Sequence, residues 1–322
     1  MAFSGEQWQA QSYPPAGDAD HLRVAGKNYV RLAAWSRANN LQFRWTRKDH
    51  NLTLSGRSIK MDFAVDSRES ELNGVNVRLS FPVVLSAGTA WISQIDVDAA
   101  LNPSINPPRN GIHRRVHNLV IDAGHGGKDP GFLVGSQAEK KYALLLALEL
   151  SQELTRAGFN VSLTRSTDIY VERPDRPEIA LRRNADLFIS LHWNSVTGGK
   201  SEVRGAQTFC LTPSGAPSSN DDGNDIGDRP QPGNRSNDKN FLLAHEIQKS
   251  LKSNLGVVDR GVLRARFEIL RLAQMPSVLI EGGFMSHPQE SRQIYDPIYR
   301  RQMARAIVAG VQSYKGIVER QK

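Results

Sequence analysis

Three apolar runs in the second half of the chain each end in a chemically versatile side chain, and this recurrence narrows the possible folds more than any other feature. The stretch "NLVIDAGH" delivers His125, "ADLFISLH" delivers His192 and "PSVLIE" delivers Glu281. Runs this hydrophobic belong to buried strands, and between them the pattern switches to helical periodicity. Strands are predicted over 116–122, 160–164, 186–192, 205–211, 267–271 and 277–281, and helices over 138–156, 176–185, 240–254 and 298–314. Such alternation specifies an α/β fold, with a central largely parallel sheet and helices on both faces. In the last helix Ile298, Met303, Ile307 and Val311 fall near one face, and Gly316 is placed to end it. Ligands of open α/β sheets bind outside the carboxyl ends of the strands, so the three polar residues are expected around one crevice.

The region 23–103 has another texture. "LQFRWTR", "NLTLSG", "SIKMDFAV" and "VNVRLSF" alternate as half-buried strands do, and Asn73-Gly74 is a hairpin turn. "NYVRLAAWSRANNLQFRW" and "TAWISQIDVDAALNP" are loose copies of one strand-then-helix unit. A smaller N-terminal α+β domain is therefore expected over 23–103, after a flexible segment 1–22 and before a Pro- and Asn-rich linker 104–115. The second domain covers 116–316. No window approaches the apolar length of a transmembrane segment, and the first residues lack the charged start and apolar core of a secretory leader. A net charge of +8 favours an anionic partner, whether nucleic acid, acidic lipid or an acidic wall polymer. The Lys and Arg residues are scattered and no zinc-finger, RNP or basic-zipper pattern occurs, which argues against nucleic acid. The one cysteine, Cys210, sits in a strand-like stretch and is expected to be a small buried hydrophobe.

Glu139 opens the long helical stretch "EKKYALLLALELSQEL" soon after His125, close enough for the chain to turn back and present its carboxylate at the strand end. His125, Glu139 and His192 would then be three ligands for Zn²⁺, with one tetrahedral position open, as in catalytic rather than structural sites. Each also has a plain structural reading. Glu139 stands at capping-box spacing from Ser136, His125 can steady its glycine loop, His192 can be a satisfied core histidine, and Glu281 can pair with Arg260 or Arg264. Asp122 is placed to orient His125 through its second ring nitrogen. His21 and His50 stand alone, and His113, His117 and His245 are expected to be surface or packing residues. Residues 212–240, rich in Ser, Asn, Asp, Gly and Pro, are expected to form a mobile rim at the site.

The motifs "IDAGHGGKDPG", "EKKYALLLALEL", "ADLFISLHWNS", "DRGV", "MPSVLIEGGFMSHP" and "IYRRQMARAIVAGVQSYK" resemble, in order, the zinc-dependent N-acetylmuramoyl-L-alanine amidases of the amidase-3 type, over about residues 115–316. The resemblance implies a phosphorylase/hydrolase-like fold, His125, Glu139 and His192 as zinc ligands, and Glu281 as the catalytic carboxylate. It implies peptidoglycan as substrate, cut between N-acetylmuramic acid and L-alanine, and hence a place in the periplasm or cell envelope. His287 stands where that family usually has Asn. Residues 23–103 resemble the copper-amine-oxidase N-terminal-like domain, whose expected use is anchoring to the wall or to an envelope partner; isolated His21 and His50 give no reason to assign copper. A zinc peptidase or carboxypeptidase acting on stem peptides, and a non-catalytic wall-binding protein, are the competing readings.

Overall fold

In the computed structural model the described residues are 20–111, 115–196, 202–219 and 227–320. The N-terminal half runs through β1 (His21–Val24), β2 (Lys27–Arg31), α1 (Leu32–Ala38), β3 (Gln42–Arg47), β4 (Asn51–Ser55), β5 (Lys60–Ala64), β6 (Glu69–Leu72), β7 (Val75–Arg78), β8 (Val84–Ser86) and β9 (Thr89–Ser93). Asn73 and Gly74, at φ +51° and +79°, make the two-residue turn that sets Leu72 opposite Val75 in the β6–β7 hairpin. Both strand–helix units form: β2 leads into α1, and β9 into α2 (Gln94–Asp96), a π-helical turn Val97–Leu101 and α3 (Asn102–Ile105). The helix thus takes up the first two residues expected of the linker.

The second half contains β10 (Asn118–Ala123), a small hairpin of β11 (Leu133–Val134) and β12 (Gln137–Ala138), α4 (Glu139–Arg156), β13 (Asn160–Leu163), α5 (Asp175–Arg182), β14 (Leu187–Asn194) and β15 (Ala206–Leu211). After these come α6 (Asn237–Leu255), β16 (Asp259–Ala265), α7 (Glu268–Leu272), β17 (Ser277–Phe284), α8 (Pro288–Tyr295) and α9 (Pro297–Val318). β13, β10, β14 and β17 run parallel, β15 is antiparallel to β17, and β16 is parallel to β15. β16 then pairs with β7 at Val262–Val77, so the two halves share one 11-stranded sheet in the order β13-β10-β14-β17-β15-β16-β7-β6-β5-β4-β3. His245 of α6, buried, reinforces the join through a 2.9 Å contact from Nε2 to the Leu72 carbonyl.

Period-2 alternation sorts the side chains of the sheet. Leu187, Ile189 and Leu191 enter the main core beneath α4, α6 and α9, whereas Phe188, Phe209 and Leu279 enter a smaller core beneath the short α5 and α7. His192, Glu281 and Gln207 belong to the second set by parity, beyond the last apolar layer.

Two expectations fail. Residues 267–271 are not a strand; the strand lies at 259–265 and α7 follows it. Buried Arg264 broke the apolar pattern of that strand, yet it is accommodated because Nη2 donates to the Ala99 carbonyl and the guanidinium lies 5.4 Å from the Phe241 ring centroid. Gly316 does not end the last helix, which continues to Val318. Tertiary contacts supply the cap instead: Arg109 Nη1 donates to the Ile317 carbonyl and the Asn110 amide to that of Val318.

Candidate active site

β10 ends at Ala123 and the chain enters a glycine-rich loop with His125 at φ +59°, a conformation that is uncommon for a residue with a Cβ. Backbone carbonyls that lose their sheet partners there must be satisfied otherwise. Two buried guanidinium groups do this. Arg165 donates from Nε to Ala123 and from Nη2 to Gly124 and Lys140, and Arg176 donates from Nη1 to Ala123 and from Nη2 to His125. The glycines permit close approach as well, because a Cβ on Gly131 would stand 2.7 Å from Glu139 Oε2 and from His125 Cδ2.

The structure brings His125, Glu139 and His192 together. Glu139 Oε1 lies 3.1 Å from His125 Nε2 and 2.9 Å from His192 Nδ1, and the imidazoles meet edge to face with centroids 4.9 Å apart. One ligand atom from each of the three lies within 4.8 Å of the others, a group able to hold a metal ion. Capping does not account for Glu139: α4 has Ala138 at its N-cap with no side-chain cap, and the carboxylate instead accepts from the amides of Phe132 (3.0 Å) and Trp193 (3.1 Å). Burial opposes ionisation of Glu139, but hydrogen bonds and charge from the two imidazoles outweigh it and hold its pKa far below the usual carboxylate range. For His125 burial likewise disfavours the charged form, and Glu139 and Asp129 overcome it to raise the pKa.

Glu281 is the register partner of His192 in the neighbouring strand. Its Oε2 is buried and has no hydrogen-bond partner among the described residues. Burial, then the charge of Glu139, pushes the Glu281 pKa well above its ordinary value. The alternative pairing with arginine is overturned: Arg264 is turned to the Ala99 carbonyl, and Arg260 Nε donates to Gln207 Oε1 at 3.1 Å.

Asp122 does not orient His125. It is fully buried, ion-paired to Arg176 Nη1 at 2.9 Å, and accepts from Thr164 Oγ1 and Ser190 Oγ. The residue that sequence reasoning missed is Asp129, whose Oδ2 meets His125 Nδ1 at 2.8 Å while its Oδ1 accepts the Gly131 amide; the i,i+4 spacing within one loop was the available signal. Asp129→Asn is expected to weaken metal binding about 10- to 100-fold with the fold intact, measured by competition with a chelating dye. Asp122→Ala, by contrast, strands a buried guanidinium and is expected to cost about 3–5 kcal/mol in urea unfolding.

The described ends of 212–240 do not form a rim here. They leave the carboxyl end of β15, which is antiparallel to β17, and so start at the sheet edge opposite Glu281. Arg266 ties them down through the carbonyls of Pro213 and Gly227, and a 3-10 turn at Pro232–Ser236 leads into α6. Residues 220–226 lie outside the described residues, as does His113. Cys210 is buried, His21, His50 and His117 are exposed, and His287 caps α8 by accepting the Glu290 amide on Nδ1.

Residues 119–313 match the Amidase_3 family, N-acetylmuramoyl-L-alanine amidase. The chain is 32% identical over 241 residues to N-acetylmuramoyl-L-alanine amidase AmiC of Neisseria meningitidis, covering 68% of this chain and 57% of that protein, so it spans little more than half of that relative. It is 31% identical over 229 residues to AmiA of Escherichia coli, covering 63% of this chain and 78% of AmiA. Among solved structures, the amidase AmiC2 of Nostoc punctiforme superposes with a TM-score of 0.51 at 32% identity, over 62% of this chain and 96% of that one. With more than half its length, residues 119–313, matched by the family, the chain belongs to the Amidase_3 family of N-acetylmuramoyl-L-alanine amidases.

Proposed function

We propose that this chain hydrolyses the amide between N-acetylmuramic acid and L-alanine in peptidoglycan, in the periplasm or cell envelope, with one Zn²⁺ held by His125, Glu139 and His192 and with Glu281 as general base. The observation that carries this reading is the approach of two imidazoles to one carboxylate oxygen, with the Glu281 carboxylate in register beside His192 and its Oε2 without a hydrogen-bond partner among the described residues. Nitrogen and oxygen donors at about 2.0–2.2 Å from a tetrahedral zinc stand roughly 3.3 Å apart, and the separations of 2.9 and 3.1 Å need only a slight opening. The donor set, two histidines and one carboxylate, is that of catalytic zinc sites with a free fourth position.

When bound, the ion supplies a water of pKa near 7 and polarises the amide carbonyl. Glu281 accepts the proton of the attacking water and passes it to the departing nitrogen, a role favoured by a pKa that burial raises above the ordinary carboxylate value. Asp129 holds the His125 ring in the tautomer that leaves Nε2 free. Arg165 and Arg176 keep the strained His125 backbone in place. Among the described residues no helix is long and apolar enough to cross a membrane. The N-terminal half, outside the matched residues, is assigned to anchoring on the wall or an envelope partner; its removal should weaken localisation more than catalysis.

Mass analysis of digested peptidoglycan tests the substrate. Release of intact stem peptides beginning at L-alanine, with free lactyl ends on the glycan, supports the proposal; shortened peptides still attached to the glycan would mark a peptidase, and no release at all a binding protein.

A further inference from the structure

At the end of the sheet past the last apolar layer, four side chains lie in a row across adjacent strands: His192 of β14, Glu281 of β17, buried Gln207 of β15 and Arg260 of β16. The first three are register partners in turn, and Gln207 Oε1 accepts from Arg260 Nε at 3.1 Å. Arg260 reaches this row because the β15–β16 register shifts between Ala206 and Thr208, so that Arg260 and Gly261 together oppose Gln207. Such a bulge re-aims a side chain. It depends on Gly261, at φ +88°, where a Cβ would collide with the Asn76 carbonyl of β7.

Arg260 is half-buried and stacks over Phe284, with its Cζ 5.2 Å from the ring centroid. Burial disfavours its charged form, Glu290 and Glu69 oppose that only at a distance, and no described carboxylate lies in ion-pair contact with it. A guanidinium stays protonated regardless. Its two terminal nitrogens, with no hydrogen-bond partner among the described residues, are a fork suited to a carboxylate.

We infer that Arg260 is a specificity-determining residue that binds a free carboxylate on the leaving peptide, within three residues of the scissile amide. The inference rests on the proposed amidase reading and adds a direction to it. Glu281 delivers its proton to the departing nitrogen, so the peptide that begins at that nitrogen starts at Glu281 and runs on, away from the histidines, over Gln207 to Arg260. Two strand spacings, about 10 Å, correspond to two or three residues of extended chain at about 3.3–3.6 Å each. The stem peptide carries free carboxylates at that distance, whereas the glycan side of the amide, an N-acetylated sugar ether, offers none.

The test compares two synthetic muramyl-tripeptides, one with free stem carboxylates and one with every stem carboxyl converted to carboxamide, on the zinc-loaded wild type and on Arg260→Gln. The wild type should cleave the carboxylate substrate with a kcat/KM about 10- to 100-fold higher, chiefly through KM, as for a charge-assisted bidentate contact. Arg260→Gln should treat the two substrates alike. Glu281→Gln, whose slowed turnover leaves time to measure binding, should show the same preference in equilibrium binding. Equal kcat/KM for both substrates on the wild type overturns the inference while leaving the amidase reading standing, and it does so even if Arg260→Gln fails to fold. A preference that persists in folded Arg260→Gln overturns the assignment to this residue. Cleavage of neither substrate by the wild type removes the reading beneath it.

Discussion

Glu281→Gln is expected to lower kcat by about 10²–10⁴-fold, the usual contribution of general acid–base catalysis, while zinc content and thermal midpoint stay near those of the wild type. Glu281 donates nothing to the network around it and none of the three ligand atoms belongs to it, so its removal should cost proton transfer and not structure. The pH profile carries a signed prediction. A general base acts only when ionised, and burial together with the Glu139 charge raises the Glu281 pKa. Activity therefore falls as pH drops through that raised value, and the acid limb of kcat/KM should lie above the ordinary carboxylate range. The limb should vanish from the residual activity of Glu281→Gln. Full turnover by the variant, or an acid limb at the pKa of an unperturbed carboxylate, would remove Glu281 from the chemistry.

Loss of the metal should have the second large effect. Glu139→Ala takes away the oxygen that both imidazoles approach, and activity should fall to background, as it should for the wild type treated with a strong chelator. Added Zn²⁺ should restore the chelated wild type and not the variant. An ion bound only by the native state adds stability by mass action, about 4 kcal/mol at a thousandfold excess over Kd, so the chelated protein should also unfold at a lower temperature. Its fold should survive, since the loop carbonyls are held by Arg165 and Arg176 without help from the ion. Undiminished activity after exhaustive chelation would rule out a metal-dependent mechanism.

What the sequence revealed about this site follows from burial. An apolar run that stops at a histidine or glutamate places that group at the rim of the core, so His125, His192 and Glu281 were legible from local pattern alone. Glu139 was legible only with an alternative, because a helix-opening glutamate three residues after a serine has the spacing of a cap; the hairpin β11–β12, which turns its carboxylate inward, leaves no such mark. Asp122 was misread for a related reason. Its place next to the loop suggested a residue that orients His125, but Arg176 comes from a distant helix to claim it, and pairings across more than fifty residues are invisible to spacing. The continuity of the sheet through β16 and β7 was hidden likewise, resting on Gly261 packing against Asn76. The β16 strand itself was obscured by Arg264, a buried charge in a position where alternation calls for an apolar residue.

The convergence of three side chains on one ion is tested most directly by crystals of the zinc-loaded protein measured on both sides of the zinc absorption edge. The account predicts a single anomalous peak bonded to His125 Nε2, Glu139 and His192 Nδ1, with Glu281 adjacent and not bonded. A peak at other residues, or none at full zinc loading, would contradict it.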